Sequence, residues 1–243
     1  MKTAIIVGAS GTLGSAIARE LFAHGFRVGL HYHTRKDACE KLAAELTASD
    51  RAAVCYAADF LDAAAPQALA TAFIKDFQRI DALVWAAGIV KDAPLLTLKE
   101  DDLRAVLNVD LKAFFLLLKA FSRQFIKQKS GAVVALSSHA AVAGRAGGAA
   151  YAMAQSGMLS LVKSTAREWG GLGIRVNAVL PPFVAESAMG KAASPEFIDA
   201  VKAKRVLKVD PDGALACAQL VAAVVENAAI SGQVLSADSR VVS

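Results

Sequence analysis

The sequence predicts an α/β fold in three α/β/α layers: a doubly wound parallel sheet of seven strands with helices on both faces. Two observations point there. Short apolar, β-branched runs alternate with longer helical stretches along the whole chain, and such alternation builds parallel sheets through right-handed crossovers. Runs such as Ala82-Leu83-Val84-Trp85-Ala86 lack the in–out alternation of a half-solvated strand, so they suit strands covered on both faces. Composition agrees. Of 243 residues, 55% are hydrophobic and only 7% aromatic, and 52 are alanine. Alanine favours helix and lets helices lie close on a sheet.

In chain order, strands are expected near residues 3–7, 27–32, 52–57, 82–86, 131–137, 174–180 and 233–236. Helices are expected near 13–24, 36–47, 64–78, 100–128, 149–170 and 213–228. These use up the length, and no repeat or linker marks a second unit, so residues 1–243 read as a single domain. One long gap, about 181–212, holds Pro181, Pro182, Pro195 and Pro211. A gap of that length in a compact domain reads as a lid or substrate loop.

Several classes are excluded. No apolar run approaches the roughly 20 residues of a bilayer span; the best, Ala113 to Phe121, carries Lys119. A strand-like Thr3–Val7 at the start leaves no room for a signal peptide. Cys39, Cys55 and Cys217 share no ligand or redox spacing, and an odd number fits a reducing cytoplasm. The net charge of +5 is spread rather than striped, against a nucleic-acid reader. Its local excess is Lys202, Lys204, Arg205 and Lys208. No acidic or histidine cluster has metal spacing, and no nucleophile–base pair suggests hydrolysis.

The chemistry begins at Gly8-Ala9-Ser10-Gly11-Thr12-Leu13-Gly14, between the first strand and the first helix. Glycines there let the backbone turn sharply and approach a pyrophosphate, whose charge the helix N-terminus receives. In an N-terminal β-α-β unit this reads as a Rossmann-like dinucleotide site. At the end of the second strand a carboxylate would hold the ribose 2′-hydroxyl of NAD, and a cation would accommodate the 2′-phosphate of NADP. From Val28 to Lys36 there is no acid before Asp37, whereas His33, Thr34, Arg35 and Lys36 offer donors and charge. NADP(H) is the expected cofactor; a solvated basic start to the next helix is the alternative.

Ala132-Val133-Val134-Ala135-Leu136-Ser137-Ser138 reads as a central strand ending in two hydroxyls, and Tyr151 opens a helix thirteen residues later. Glycine turn, Asn108, Ser138 and Tyr151 together resemble the short-chain dehydrogenase/reductase family, in particular its β-ketoacyl-carrier-protein reductase branch. The resemblance covers nearly the whole chain. Asp59, followed by Phe60, matches the adenine-contacting aspartate. Ala87-Gly88 matches the end of an Asn-Asn-Ala-Gly motif, Asn108-Val109-Asp110-Leu111-Lys112 the helix-borne asparagine, and Arg175–Val179 the strand before the nicotinamide loop, where Val184 lies. The resemblance implies Tyr151 as the acid, Ser138 as the donor that polarises the carbonyl oxygen, and Asn108 as a relay residue holding a water.

The match breaks at Tyr151-Ala152-Met153-Ala154-Gln155, where glutamine stands in the place of the family's lysine. Gln155 can still offer an amide to the cofactor ribose but no charge. Without a cation, a phenol of pKa ~10 stays protonated at neutral pH, the correct state for reduction but not for oxidation. Other departures are Thr12 in the turn, Trp85-Ala86 for two asparagines, Pro181-Pro182 for Pro-Gly, and Glu186 for a threonine. Lys112, His139 and Arg145 are candidate substitute cations.

Two readings follow. The first is NADP(H)-dependent reduction of a ketone, a 3-oxoacyl thioester on a carrier protein or coenzyme A as in fatty acid biosynthesis, slowed by the missing lysine. The second is a catalytically impaired homologue serving as a structural or regulatory subunit of an active paralogue. A homo-tetramer or dimer is expected from the resemblance, a hetero-oligomer under the second reading.

Overall fold

Buried apolar runs form β1 (Thr3–Val7), β2 (Arg27–Tyr32), β3 (Ala53–Ala57), β4 (Ala82–Trp85), β5 (Gly131–Leu136), β6 (Ile174–Leu180) and β7 (Val234–Ser236). In the computed structural model, which describes residues 1–47, 53–207 and 212–241, they build one parallel sheet ordered β3-β2-β1-β4-β5-β6-β7. The helices are α1 (Thr12–Ala23), α2 (Lys36–Leu46), α3 (Ala65–Phe77), α4 (Glu100–Val106), α5 (Ala113–Gln128), α6 (Ala140–Ala143), α7 (Ala149–Trp169), α8 (Ala188–Lys191), α9 (Pro195–Ala203) and α10 (Gly213–Glu226). Residue 52, Lys208 and Pro211, named above, lie outside the described residues.

The absence of alternation in the strands has its expected cause. Ile5, Val7, Leu83, Trp85, Val133 and Val176 enter the core under α3, α5 and α7. Their neighbours Ala4, Ile6, Val84, Val134 and Val179 enter a second core under α1, α2 and α10. Each strand is therefore apolar on both faces. The order reverses at β1, from which the chain runs outward to β3 before returning to β4. Ligand clefts in open parallel sheets form outside the carboxyl ends of the strands at such a reversal. Here those ends lead into Gly8 and into Ala86-Ala87-Gly88.

Three features differ from the sequence expectation. The helix over 100–128 is interrupted by a π-helical turn, Leu107–Lys112, between α4 and α5. The proposed loop at 181–212 contains α8 and α9, whose starts are capped by the hydroxyls of Ser187 and Ser194 accepting from Gly190 and Phe197 N–H groups. An isolated antiparallel bridge between Arg205 and Arg240 also ties this segment down. Finally, Cys39 on α2 and Cys55 on β3, unrelated by spacing, have their Sγ atoms 2.8 Å apart as free thiols. Among the described residues no helix is long and apolar enough to cross a membrane.

Candidate active site and dinucleotide cleft

Gly8 leaves β1 with φ +83°, and a Cβ there would lie 2.8 Å from the Ala86 carbonyl and the Ala87 nitrogen. A Cβ on Gly14 would lie 2.2 Å from the Gly8 oxygen. The turn is thus too tight for side chains at these positions. Gly11 begins α1 with no side-chain cap and no acid in the first turn, so its N–H groups are available to an anion. Ser10, Gly11, Thr12 and Leu13 remain partly exposed beside them. Tight glycine contacts and an uncapped, acid-free helix start fit a dinucleotide pyrophosphate.

His31, passed over in the sequence, holds this turn in place. Its Nδ1 accepts from Gly8 N–H at 3.0 Å and its Nε2 lies 3.1 Å from the Ala58 carbonyl. The ring stacks on Phe60 with centroids 4.6 Å apart. Burial pushes the imidazole down to about 4, so near neutral pH it is uncharged, with the proton on Nε2. Phe60 in turn stacks on Trp85 at 5.1 Å. The Phe60 ring is buried in an aromatic column under the cleft. Nearby, the exposed His33 stands 3.6 Å from the Asp59 carboxylate, which also accepts from Leu61 N–H. Thr34, Arg35 and Lys36 are exposed at the start of α2.

Across the sheet reversal, β5 leads to Ser138, whose Oγ accepts from Ala140 N–H at 3.1 Å, and the first turn of α7 delivers the buried Tyr151, whose ionisation Ser138 eases. Gln155 lies one turn further along the same face of α7 and is buried. Asn108 lies apart from the Gln155 contact. That residue lines a shallow depression with Phe60, Leu61, Lys112 and Leu116. The side chain facing Gln155 is Asp110, two residues on. Gln155 Nε2 donates to Asp110 Oδ2 at 3.1 Å, and Ile89 N–H donates to Oδ1 at 2.8 Å. A Cβ on Gly88 would sit 3.1 Å from that carboxylate, so Ala87-Gly88 forms its other wall. Gly157 lets Leu111 pack on α7, where a Cβ would lie 2.7 Å from its Cδ2.

Burial raises Tyr151 to about 12; the Asp110 charge adds to the rise, while Ser138 and Arg145 oppose it. Burial also raises Asp110, to about 7, against its two hydrogen bonds. Of the candidate cations, Arg145 acts on Tyr151 but is paired with Asp92 at 2.6 Å. His139 faces Ser236 at 3.3 Å, and Lys112 is exposed. Val184 is buried in the loop after β6, its carbonyl accepting from Ser187, and Glu186 is exposed. Among the described residues no three His, Cys, Asp or Glu side chains cluster as metal ligands.

A sequence model described as short chain dehydrogenase matches residues 2–198. The chain belongs to the short chain dehydrogenase family. A 3-oxoacyl-[acyl-carrier-protein] reductase of Synechocystis sp. is 36% identical over 184 residues, 76% of this chain and 74% of that protein. Among solved structures, a short chain dehydrogenase from Burkholderia cenocepacia J2315 in complex with NADP is 29% identical, with TM-score 0.89 over 98% of this chain and 96% of that one. An NAD+-bound xylitol dehydrogenase is 25% identical, with TM-score 0.90 over 98% of each chain. Solved structures similar to this chain thus include complexes with either dinucleotide.

Proposed function

We propose that this short chain dehydrogenase reduces a ketone with NADPH, the substrate being a 3-oxoacyl thioester on a carrier protein or coenzyme A. The observation that carries the reading is a buried, protonated Tyr151 on the first turn of α7, its ionisation eased by Ser138 at the end of the neighbouring strand β5. When bound, the nicotinamide supplies a hydride to the carbonyl carbon. Tyr151 gives its proton to the carbonyl oxygen, and Ser138 donates a hydrogen bond to the same oxygen. Gln155 offers its amide to the nicotinamide ribose. The turn Gly8–Gly14 holds the pyrophosphate, Asp59 the adenine side, and His33, Thr34 and Arg35 the 2′-phosphate.

From ~10 for a free phenol to about 12 here, the tyrosinate is disfavoured by roughly 3 kcal/mol. The site therefore favours reduction over oxidation, and slow turnover. The carrier-protein preference rests on the similar reductase and on the exposed Lys202 and Lys204 of the α9 segment, which suit an acidic partner. Three free thiols suit a cytoplasmic setting, and the exposed Phe115 on α5 suits an oligomer.

NADPH titration combined with turnover of acetoacetyl coenzyme A tests the reading. Saturable binding with turnover supports it. Binding without turnover moves the protein to the second reading, a structural or regulatory partner of an active paralogue, which the loss of any lysine beside Tyr151 favours. Arg35→Asp is expected to weaken NADPH at least tenfold and to spare NADH.

A further inference from the structure

The Asp110–Gln155 contact has two unsatisfied sides. Asp110 has no exposed surface and, among the described residues, receives two N–H groups and no ion pair; of the titratable groups on the elements packed on its turn, Tyr151 of α7 feels its charge, as it feels those of Asp92 and Arg145, and Lys112 on its own turn is exposed. A buried carboxylate without a paired cation strongly favours its neutral form. Gln155, meanwhile, spends its N–H end on Asp110, and its Oε1 is buried with no hydrogen-bond partner. Both problems have one remedy. A neutral Asp110 carries an O–H that can donate to Oε1 once the amide turns over, and Nε2 then takes the position Oε1 holds now, freed from the carboxylate one turn along α7 from Tyr151.

We propose that Asp110 is a positioning residue for the reduction. Neutral, it turns Gln155 so that an amide donor takes over part of the work of the missing cation; ionised, it captures that donor and opposes the tyrosinate left by proton donation. The inference rests on the NADPH-dependent reading of the site. The rise of Asp110 to about 7 places the change of state within the working range of pH.

The test is the pH profile of kcat for acetoacetyl coenzyme A reduction by the wild type and Asp110→Asn, together with infrared absorption of both proteins over the same range. The wild-type rate is expected to fall roughly tenfold between about pH 6 and pH 8.5. In step with it, the C=O band of a buried carboxylic acid should disappear. Asp110→Asn is expected to lack both the band and the fall. Superimposable profiles of the two proteins overturn the inference, as does a wild type with no protonated-carboxyl band above pH 6; the latter needs no variant to fold. Absence of NADPH binding and turnover at every pH is a different failure: it overturns the functional reading, and this inference with it.

Discussion

His31 Nδ1 accepts the Gly8 N–H at 3.0 Å, joining the end of β2 to the turn that leaves β1. Only an uncharged imidazole can do this, because a protonated Nδ1 would present hydrogen to hydrogen.

A first prediction concerns acid. His31 is pushed from 6.5 to about 4 by burial, so the unfolded chain binds this proton first. The stability due to His31 is complete above ~6.5 and is lost as pH falls through about 4, in all roughly 3 kcal/mol. Asp110, raised from 3.8 to about 7, contributes in the opposite sense: its stability is present below ~4 and lost as pH rises through about 7. Urea midpoints from about pH 4 to 7 should therefore show a steeper acid loss for the wild type than for His31→Gln. Equal slopes would mean that His31 does not carry the effect.

Gly14→Ala puts a methyl group 2.2 Å from the Gly8 oxygen, and a backbone atom cannot step aside. The expected result is a loss of about 1–3 kcal/mol in stability and at least tenfold weaker NADPH binding. Thermal melting and fluorescence titration measure the two together.

Gln155→Lys brings an ammonium to Asp110 and Tyr151. It should hold Asp110 ionised, draw the phenol down, and raise single-turnover reduction above pH 7 at least tenfold, since each pKa unit is worth about 1.4 kcal/mol. No gain in rate would show that this position does not limit the chemistry.

At the opposite end of the sheet, Asp81 accepts from Thr3 N–H at 2.8 Å and from Arg79. Asp81→Asn is expected to cost about 1–2 kcal/mol, read as a lower melting temperature, with NADPH affinity unchanged because the glycine turn leaves the other end of β1. A parallel loss of affinity would link the two ends.

Much of the fold was legible because burial on both faces writes continuous apolar runs; the strands fall within a residue or so of their expected limits. The places of the glycine turn, Ser138 and Tyr151 were legible because each sits at the end of a strand or the start of a helix, and Gln155 follows Tyr151 by one helical turn. Asp110 was not. Asn108 and Asp110 are both polar and two residues apart, and about 100° of rotation per residue sends them to different sides. His31 was hidden as one polar residue inside an apolar strand. Cys39 and Cys55 meet only through the packing of α2 on β3, which no spacing rule anticipates.

The π-helical turn at Leu107–Lys112 sets a phase. Each wide turn takes in one more residue than an α-helical turn, which shifts everything downstream by roughly 100°. That offset lets Asp110 face α7 while Phe114, Leu117, Phe121 and Phe125 still face the sheet. A continuous α-helix would have to give up one of the two alignments. Removing a single residue from this turn would keep the helix, its length and its apolar stripe, yet rotate the floor of the cleft away from Gln155.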